Sequence, residues 1–368
     1  MSSDARKIDK FFLISVSILV IAGFIIFLSA SMGLLAQDGA NFNTVATKQF
    51  ISLAIGLIFF FILSWTNYHW LHKMALFIFL GAIAVNLLLF IPSLTFHYNG
   101  ASRWLEIGNL TFQPSELLKI AFIIYIAAWA HFVKDKIASL KFGLLPYVII
   151  VGILGAILLA QRDTDTFLII ACTGLIMVFI AGVRIRHIIL ALCLIGVFIG
   201  GVIITRPYAM DRVKTFLNRG SDTQGSGYQI NQSLIAIGSG GLLGRGFGQS
   251  VQKFGYLPQP TDDSIFAVAA EEFGFLGSII LLGLYLMLAA SIFRIGNRST
   301  DIFGGLLAIG IAVLIITESF MNMAAMLGLI PLSGMPLLFV SHGGTALIIT
   351  LVTMGIVANI SKHTTKSV

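Results

Sequence analysis

The sequence predicts an all-α polytopic membrane protein of about ten transmembrane helices, with one large extracellular loop between helices 7 and 8. Three observations predict it. Mean hydropathy is +0.96. Only 11% of the 368 residues are charged. Apolar runs of about 20 residues, each able to cross a hydrocarbon layer roughly 30 Å thick as a helix, recur from end to end. A globular core does not need so many.

The spans fall near residues 11–31, 49–66, 74–92, 115–133, 143–160, 167–183, 187–205, 265–293, 302–323 and 341–360. The first is too long for a signal-peptide core, and no small-residue cleavage site follows it before Gln37. Basic residues cluster in alternate connections: Arg6, Lys7 and Lys10, then Lys73, then Lys134, Lys136 and Lys141, then Arg184 and Arg186, then Arg294 and Arg298, with Lys362 and Lys366 in the tail. By the positive-inside rule both termini are cytoplasmic. The net charge of +7 is then a topology signal with anionic-lipid contact, and calls for no nucleic-acid partner. Cys172 and Cys193 lie in different apolar spans and read as small core residues. No HExxH, Walker loop or strand-borne GxGxxG is present, so a zinc protease, an ATP-driven pump and a bound nucleotide are not expected.

Acidic residues show the opposite bias. Asp38, Glu106, Glu116, Asp163, Asp165, Asp211, Asp222, Asp262, Asp263, Glu271, Glu272 and Glu318 fall on or near the outer side. Topology does not require this, which points to a polar site facing outward.

The chain reads as a single membrane domain, 1–368, whose one long polar segment is the loop 206–264. Within it come DRVKTFLNRG, the turn-like SDTQGSG, and YQINQSLIAIG. In the last stretch Ile230, Leu234 and Ile237 share one helical face with Asn231 and Gln232 turned away, which predicts a short interfacial helix. The glycine run GSGGLLGRGFGQS permits tight turns or a close backbone approach to a ligand.

Polar constellations gather at the outer helix ends. Glu116 and Lys119, i and i+3 after Pro114, are either a helix-start ion pair or the wall of a substrate cavity. Arg103 beside Trp104 is either an interfacial anchor or a phosphate ligand. Gln161, Arg162, Asp163 and Asp165 end the fifth span in QRDTDTF, a solvated turn or part of the same site. Asp262 and Asp263 precede Ser264 and the run IFAVAA. Adjacent carboxylates repel, so a desolvated one has a raised pKa suited to a general base, while the simpler role is a helix N-cap. Glu271 and Glu272 lie about 100° apart on a helix and cannot face one ligand together. Asn322, Pro331, Pro336, Ser341 and His342 mark an apolar stretch broken near the outer face, which at membrane depth needs a protein-lined cavity. His342 is either a proton shuttle or a hydrogen-bonded core histidine.

Three ordered stretches carry a resemblance: GASRWLEIGNLTFQPSELLKIA, GSGYQINQSLIAIGSGGLLGRGFGQSVQKFGYLPQPTDDSIFAVAAEEFGFLG and NMAAMLGLIPLSGMPLLFVSHGGTAL. Over essentially its whole length the chain resembles the SEDS family (shape, elongation, division and sporulation; FtsW, RodA and SpoVE), with QKFGYLP nearer the FtsW branch. The resemblance implies a peptidoglycan glycosyltransferase of the bacterial cytoplasmic membrane that polymerises lipid II outside the cell, in division or in shape maintenance. It implies Asp263 as the essential acid, Glu116/Lys119 as the ionic pair of the fourth helix, and Arg103 as the arginine of the Arg-Trp motif. Asp263 is then the base on the acceptor sugar. Arg103, Lys119, Arg212 and Arg245 are candidates for the pyrophosphate, and Glu116, Gln232, Ser341 and His342 for the rest of the substrate. Asp163, Gln161, Glu271, Glu272 and Asn322 stand in support. A divalent cation (Mg²⁺ or Mn²⁺) is expected, with Asp263, Glu116 and Asp163 as possible ligands. A class B penicillin-binding protein and other divisome or elongasome membrane proteins are the implied partners. A lipid II flippase and a non-catalytic scaffold for the transpeptidase are the rival readings. The chain departs from the family wording at Ser264 (usually Phe), at QRDTDT (commonly QPDLGT), at SHGGTA (usually SYGGSS) and at Asp262 (a neutral residue elsewhere).

Overall fold

A computed structural model describes residues 7–36, 42–98, 101–107, 110–218 and 225–364. Arg6, Asp38, Asp222, Lys366 and most of the SDTQGSG turn lie outside them. The long helices are α1 (Lys10–Ser31), α2 (Phe42–Trp65), α3 (His69–Leu87), α4 (Pro114–Phe132), α5 (Leu145–Ala160), α6 (Thr164–Ile180) and α7 (Ile185–Thr205). Two short helices, α8 (Pro207–Leu217) and α9 (Ser226–Ser239), lie in the loop, and α10 (Ile265–Asn297), α11 (Ile302–Met326) and α12 (Gly344–Ser361) complete the chain. Among the described residues, 9 helical segments are long and apolar enough to cross a membrane, and α6, at 17 residues, is an apolar tenth. In hydrocarbon every backbone group must be satisfied within the segment, which is why these runs are helical whatever their propensity.

The apolar stretches differ in what they face. The most hydropathic window of α11 is 83% buried and that of α7 only 17%, so α11 is a central post and α7 is bathed in lipid. α12 packs along α2, where Gly56 and Gly355 admit the partner. A Cβ on Gly56 would stand 2.5 Å from Leu351, and one on Gly355 2.6 Å from the Phe60 carbonyl. Small residues at such crossings are what membrane helices use to pack.

Long-range polar contacts sort the helix ends onto two faces. On one, Asp9 pairs with Arg294 at 2.8 Å, the Asn359 amide donates to the Ser64 carbonyl, and Tyr68 donates to Asp301. On the other, Gln161 donates to the Asn86 carbonyl, Ser29 to Glu272, Gln49 to the Ser341 carbonyl and Asn322 to the Asp263 carbonyl. This second face carries the polar constellations and is called the site face below.

Three features differ from the expectation. The fold is not wholly helical: β1 (Thr95–Tyr98), β2 (Ala101–Ile107) and β3 (Leu110–Phe112) form a three-stranded antiparallel sheet in the order β1-β2-β3 between α3 and α4. The signal was an Asn-Gly pair at 99–100 between aromatic and β-branched residues, a hairpin mark masked by the adjoining spans. α12 starts at Gly344 because Ser341–Gly343 belong to the non-helical break. Finally, α9 packs against α10 and α11 instead of lying in the interface, burying Gln229, Ile230, Ser233 and Ala236 while Leu234 and Ile237 are half-buried.

Candidate active site

The break between α11 and α12 builds the mount for Asp263. Three successive backbone carbonyls entering α10 are each held by it. The His342 N–H donates to the Thr261 carbonyl at 2.8 Å, Ser341 Oγ to Asp262 at 2.6 Å, and the Asn322 amide to Asp263 at 2.7 Å. Asn322 also donates to the Met335 carbonyl at 2.7 Å, and Ser341 Oγ accepts from the Leu337 N–H. The broken backbone at Pro331–Gly343 is thus satisfied by side chains and by Tyr285, which donates to the Leu338 carbonyl. Ser341 and Asn322 position the acidic turn, through the Ser341 hydroxyl and the Asn322 Nδ2, while Asn322 Oδ1 is buried without a hydrogen-bond partner.

With the backbone of Asp263 clamped, its carboxylate is left over. Asp263 Oδ1 is sealed from solvent and has no hydrogen-bond partner. Neither Asp263 nor Ser264 caps α10; Ser264 Oγ instead accepts from Gln229 at 2.9 Å. Burial pushes the Asp263 carboxyl up to about 7, the neighbouring Asp262 adds to the rise, and the Gln229 amide opposes it. A carboxylate with one sealed, unpaired oxygen is costly to keep ionised and has the proton affinity of a base working near neutral pH. Asp262 points the other way, with Oδ1 3.4 Å from His342 Nδ1, and the His342 ring stacks on Phe27.

The other candidates divide into three groups. Lys119 Nζ lies 2.9 Å from Glu116 and 2.6 Å from Glu318, all three buried. The cavity beside them has room for one water, about 10 Å³. The pair is therefore a triad bolting α4 to α11, and does not wall a substrate cavity. Arg103 donates to the Arg162 carbonyl and stands 3.8 Å from Asp163, while Arg212 makes a two-pronged contact with Asp165 at 2.9 and 3.1 Å. Burial opposes that charge, but Asp165 outweighs it and raises the Arg212 pKa. Asp163 also caps α6, and Gln161 is committed to Asn86.

The third group is Glu271 and Glu272. Glu272 is held by Lys253 at 2.7 Å and by Ser29. Glu271 accepts from Ser250 Oγ and from the N–H groups of Val251 and Gln252, with Arg245 at 3.4 Å. Both fasten the glycine-rich segment 240–253 onto α10. The segment approaches so closely that Arg245 and Gly246 donate to the carbonyls of Glu271 and Glu272, where α10 kinks at Gly274 (φ 66°). The close approach read from the glycines is to a helix, not to a ligand. Arg245, half-engaged by Glu271, is a loop anchor. Gln232 is half-buried with no polar partner among the described residues, and Gln229, one turn earlier, is the residue beside Asp263. Gln229 and Lys253 carried no signal of their own, since each is defined by a partner elsewhere in the chain, and Glu318 stood out only as one more outer acid, with nothing to name Lys119 as its partner.

The metal set does not assemble. Glu116 is spent on Lys119 and Asp163 on Arg103 and the α6 cap, and no group of three His, Cys, Asp or Glu able to hold a metal exists among the described residues. Asp263, Glu116 and Asp163 do not fit a shared divalent cation, and no step below runs through one.

Comparison with known proteins fixes the kinship. The family described as "Cell cycle protein" (FtsW/RodA/SpoVE) matches residues 9–366. The chain belongs to the FtsW/RodA/SpoVE family. Among its FtsW relatives is a protein of Geobacter sp. (strain M18), named "Probable peptidoglycan glycosyltransferase FtsW", 36% identical over 354 residues, covering 96% of each chain. Stage V sporulation protein E of Bacillus subtilis is 36% identical over 86% of this chain and 87% of its own. A solved chain from work described as "Structural coordination of polymerization and crosslinking by a peptidoglycan synthase complex" superposes with a TM-score of 0.80 at 26% identity, over 98% of this chain and 99% of that one. RodA of Thermus thermophilus shares the fold at a TM-score of 0.68, with 23% identity over 98% of both chains.

Proposed function

We propose that this FtsW/RodA/SpoVE protein is a peptidoglycan glycosyltransferase that joins lipid II units into glycan strands. The observation that carries the reading is the carboxylate of Asp263, its backbone held by the Asn322 amide, one oxygen sealed without a hydrogen-bond partner, and its pKa pushed up to about 7. As base it takes the proton of the acceptor sugar hydroxyl while that oxygen bonds to the donor's anomeric carbon. The bond from that carbon to the pyrophosphate oxygen breaks, and the polyprenyl pyrophosphate leaves with the electron pair. Displacement from the opposite side inverts the anomeric centre. Asp262, through its contact with His342, keeps a second negative charge beside Asp263 and so keeps it basic.

Of the cations expected at the leaving group, Lys119 and Arg212 are neutralised in place. Arg103, engaged by Asp163 only at 3.8 Å, is the more loosely held and remains the candidate. The proposed orientation has the site face outside the cytoplasmic membrane and both termini inside; its support is that Lys73, Lys134, Arg184, Arg294 and Lys362 all sit at the opposite helix ends, as the positive-inside rule expects of the cytoplasmic side. A transpeptidase of the class B penicillin-binding type is the proposed partner, in keeping with the synthase complex that contains a structural relative.

The decisive experiment is polymerisation of lipid II by the purified protein, alone and with that partner, with and without a chelator. Asp263→Asn should abolish polymer and leave lipid II binding intact. Normal polymerisation by that variant would remove Asp263 from its role. Polymer from no form of the protein, with lipid II moved across vesicles, would favour the flippase.

A further inference from the structure

Two arginines on the site face have no ion-pair partner among the described residues, and both border the same cavity. Arg162 stands in the turn between α5 and α6, and Arg206 is the single residue between α7 and α8. The cavity measures about 420 Å³, walled by Leu159, Ala160 and Pro207 and edged by Arg162, Arg206, Tyr208 and Asp211. That volume suits a small polar headgroup.

The neighbours make the contrast. Arg103 and Arg212 lie close by, and both face aspartates. Arg162 and Arg206 are left with their charge uncompensated, except by Asp211 at the cavity edge. Arg162 is not a loose surface residue. Its φ of 59° is rare for a side chain with a Cβ, its carbonyl accepts from Arg103, and its guanidinium lies over the Tyr208 ring at 5.9 Å. Tyr208 is itself fixed by a 2.9 Å contact with Thr164. α8 opens at the same wall with Pro207 in its first turn and no side-chain cap, so its positive end adds to the field.

The cavity sits where α5 and α7 end, at the boundary of their apolar runs. Directly below, α7 exposes Val197 and Ile204 at 76% and 79%. A ligand filling this place carries a phosphate at one end and a hydrocarbon chain at the other. We propose that Arg162 and Arg206 clamp the phosphate of a membrane lipid whose chain runs down α7. The shared chemistry is a lipid phosphate. Its source is either a bulk anionic phospholipid or a polyprenyl pyrophosphate, and the site stands whether or not the chain polymerises glycan.

The test uses the full-length protein in nanodiscs of zwitterionic lipid, with bound lipid counted by native mass spectrometry. Phosphatidylglycerol and undecaprenyl pyrophosphate are titrated separately. The Arg162→Ala/Arg206→Ala pair should lose at least ~10-fold in affinity for the occupant, since two charge-assisted contacts disappear. The Arg162→Lys/Arg206→Lys pair, which keeps the charge, should lose less. A loss confined to undecaprenyl pyrophosphate assigns the site to that lipid, and a loss confined to phosphatidylglycerol assigns it to the surrounding bilayer. Unchanged affinity for both lipids in the alanine pair overturns the proposal. Should the alanine pair fail to fold, Asp211→Asn decides: tighter binding of one lipid supports the clamp, and no change in either overturns it.

Discussion

Asp263 is one carboxylate whose environment sets a measurable pH dependence. Its pKa is raised to about 7, and in its proposed role as general base it works only when deprotonated. Initial polymerisation rates should therefore fall about tenfold per pH unit below 7 and level off above it. Asp262→Asn removes a like charge, lowers the Asp263 pKa and should extend the plateau to more acidic pH. Stability runs the opposite way. The native state holds the proton up to about 7, whereas an unfolded aspartate gives it up near 3.9. The stability that this proton contributes is complete below about pH 4 and is lost as pH rises towards 7. Asp263→Asn should thus melt no lower than the parent protein at pH 8, a gap that closes in acid, as thermal unfolding in detergent would show. At this scale the sequence exposed the acidic turn, and the family resemblance singled out Asp263 as the proposed base. It did not expose Gln229, Asn322 and Ser341 as the residues that hold it, because they converge from 34 to 78 positions away.

Among the elements, the segment 240–253 and the outer end of α10 behave as one piece. Lys253 and Glu272 are both buried, so Lys253→Met leaves a carboxylate without its cation and should cost about 3–5 kcal/mol. Limited proteolysis should then cut within 240–256, where the parent protein resists. Gly244 has φ 83° and lies against the carbonyl of Glu272, so Gly244→Ala should release the same segment. The glycine run showed that something comes close here; only the tertiary structure shows that it is the kinked helix. The sheet at 95–112 was hidden for a different reason. Its strands are short and lie between two strong transmembrane signals, and hydropathy over a long window averages them away.

Over the whole molecule, polar side chains inside the bundle act as bolts between distant helices. Lys119 joins α4 to α11 and is the shared ion-pair partner of two carboxylates, so Lys119→Met should lower the melting temperature more than Glu318→Gln, which leaves the Glu116 contact in place. Helix number and approximate limits were legible because hydrocarbon imposes them on composition. The bolts were not, because a buried charge says that it needs a partner and not which one. The same limit left Lys119 and Arg212 as candidates for a pyrophosphate; in the structure both are held by carboxylates.

The pairing of α2 with α12 has a consequence for how the protein is made. α2 leaves the ribosome almost 300 residues before the helix that covers it. At 5–20 residues per second, its Gln49, Ser52 and Gly56 wait in the bilayer for roughly 15–60 s. Asp263 is synthesised before Ser341 and His342, which fix its turn. The turn that carries the proposed base is not held until the chain has been made past His342, so a nascent or truncated chain should be inert towards the cell wall.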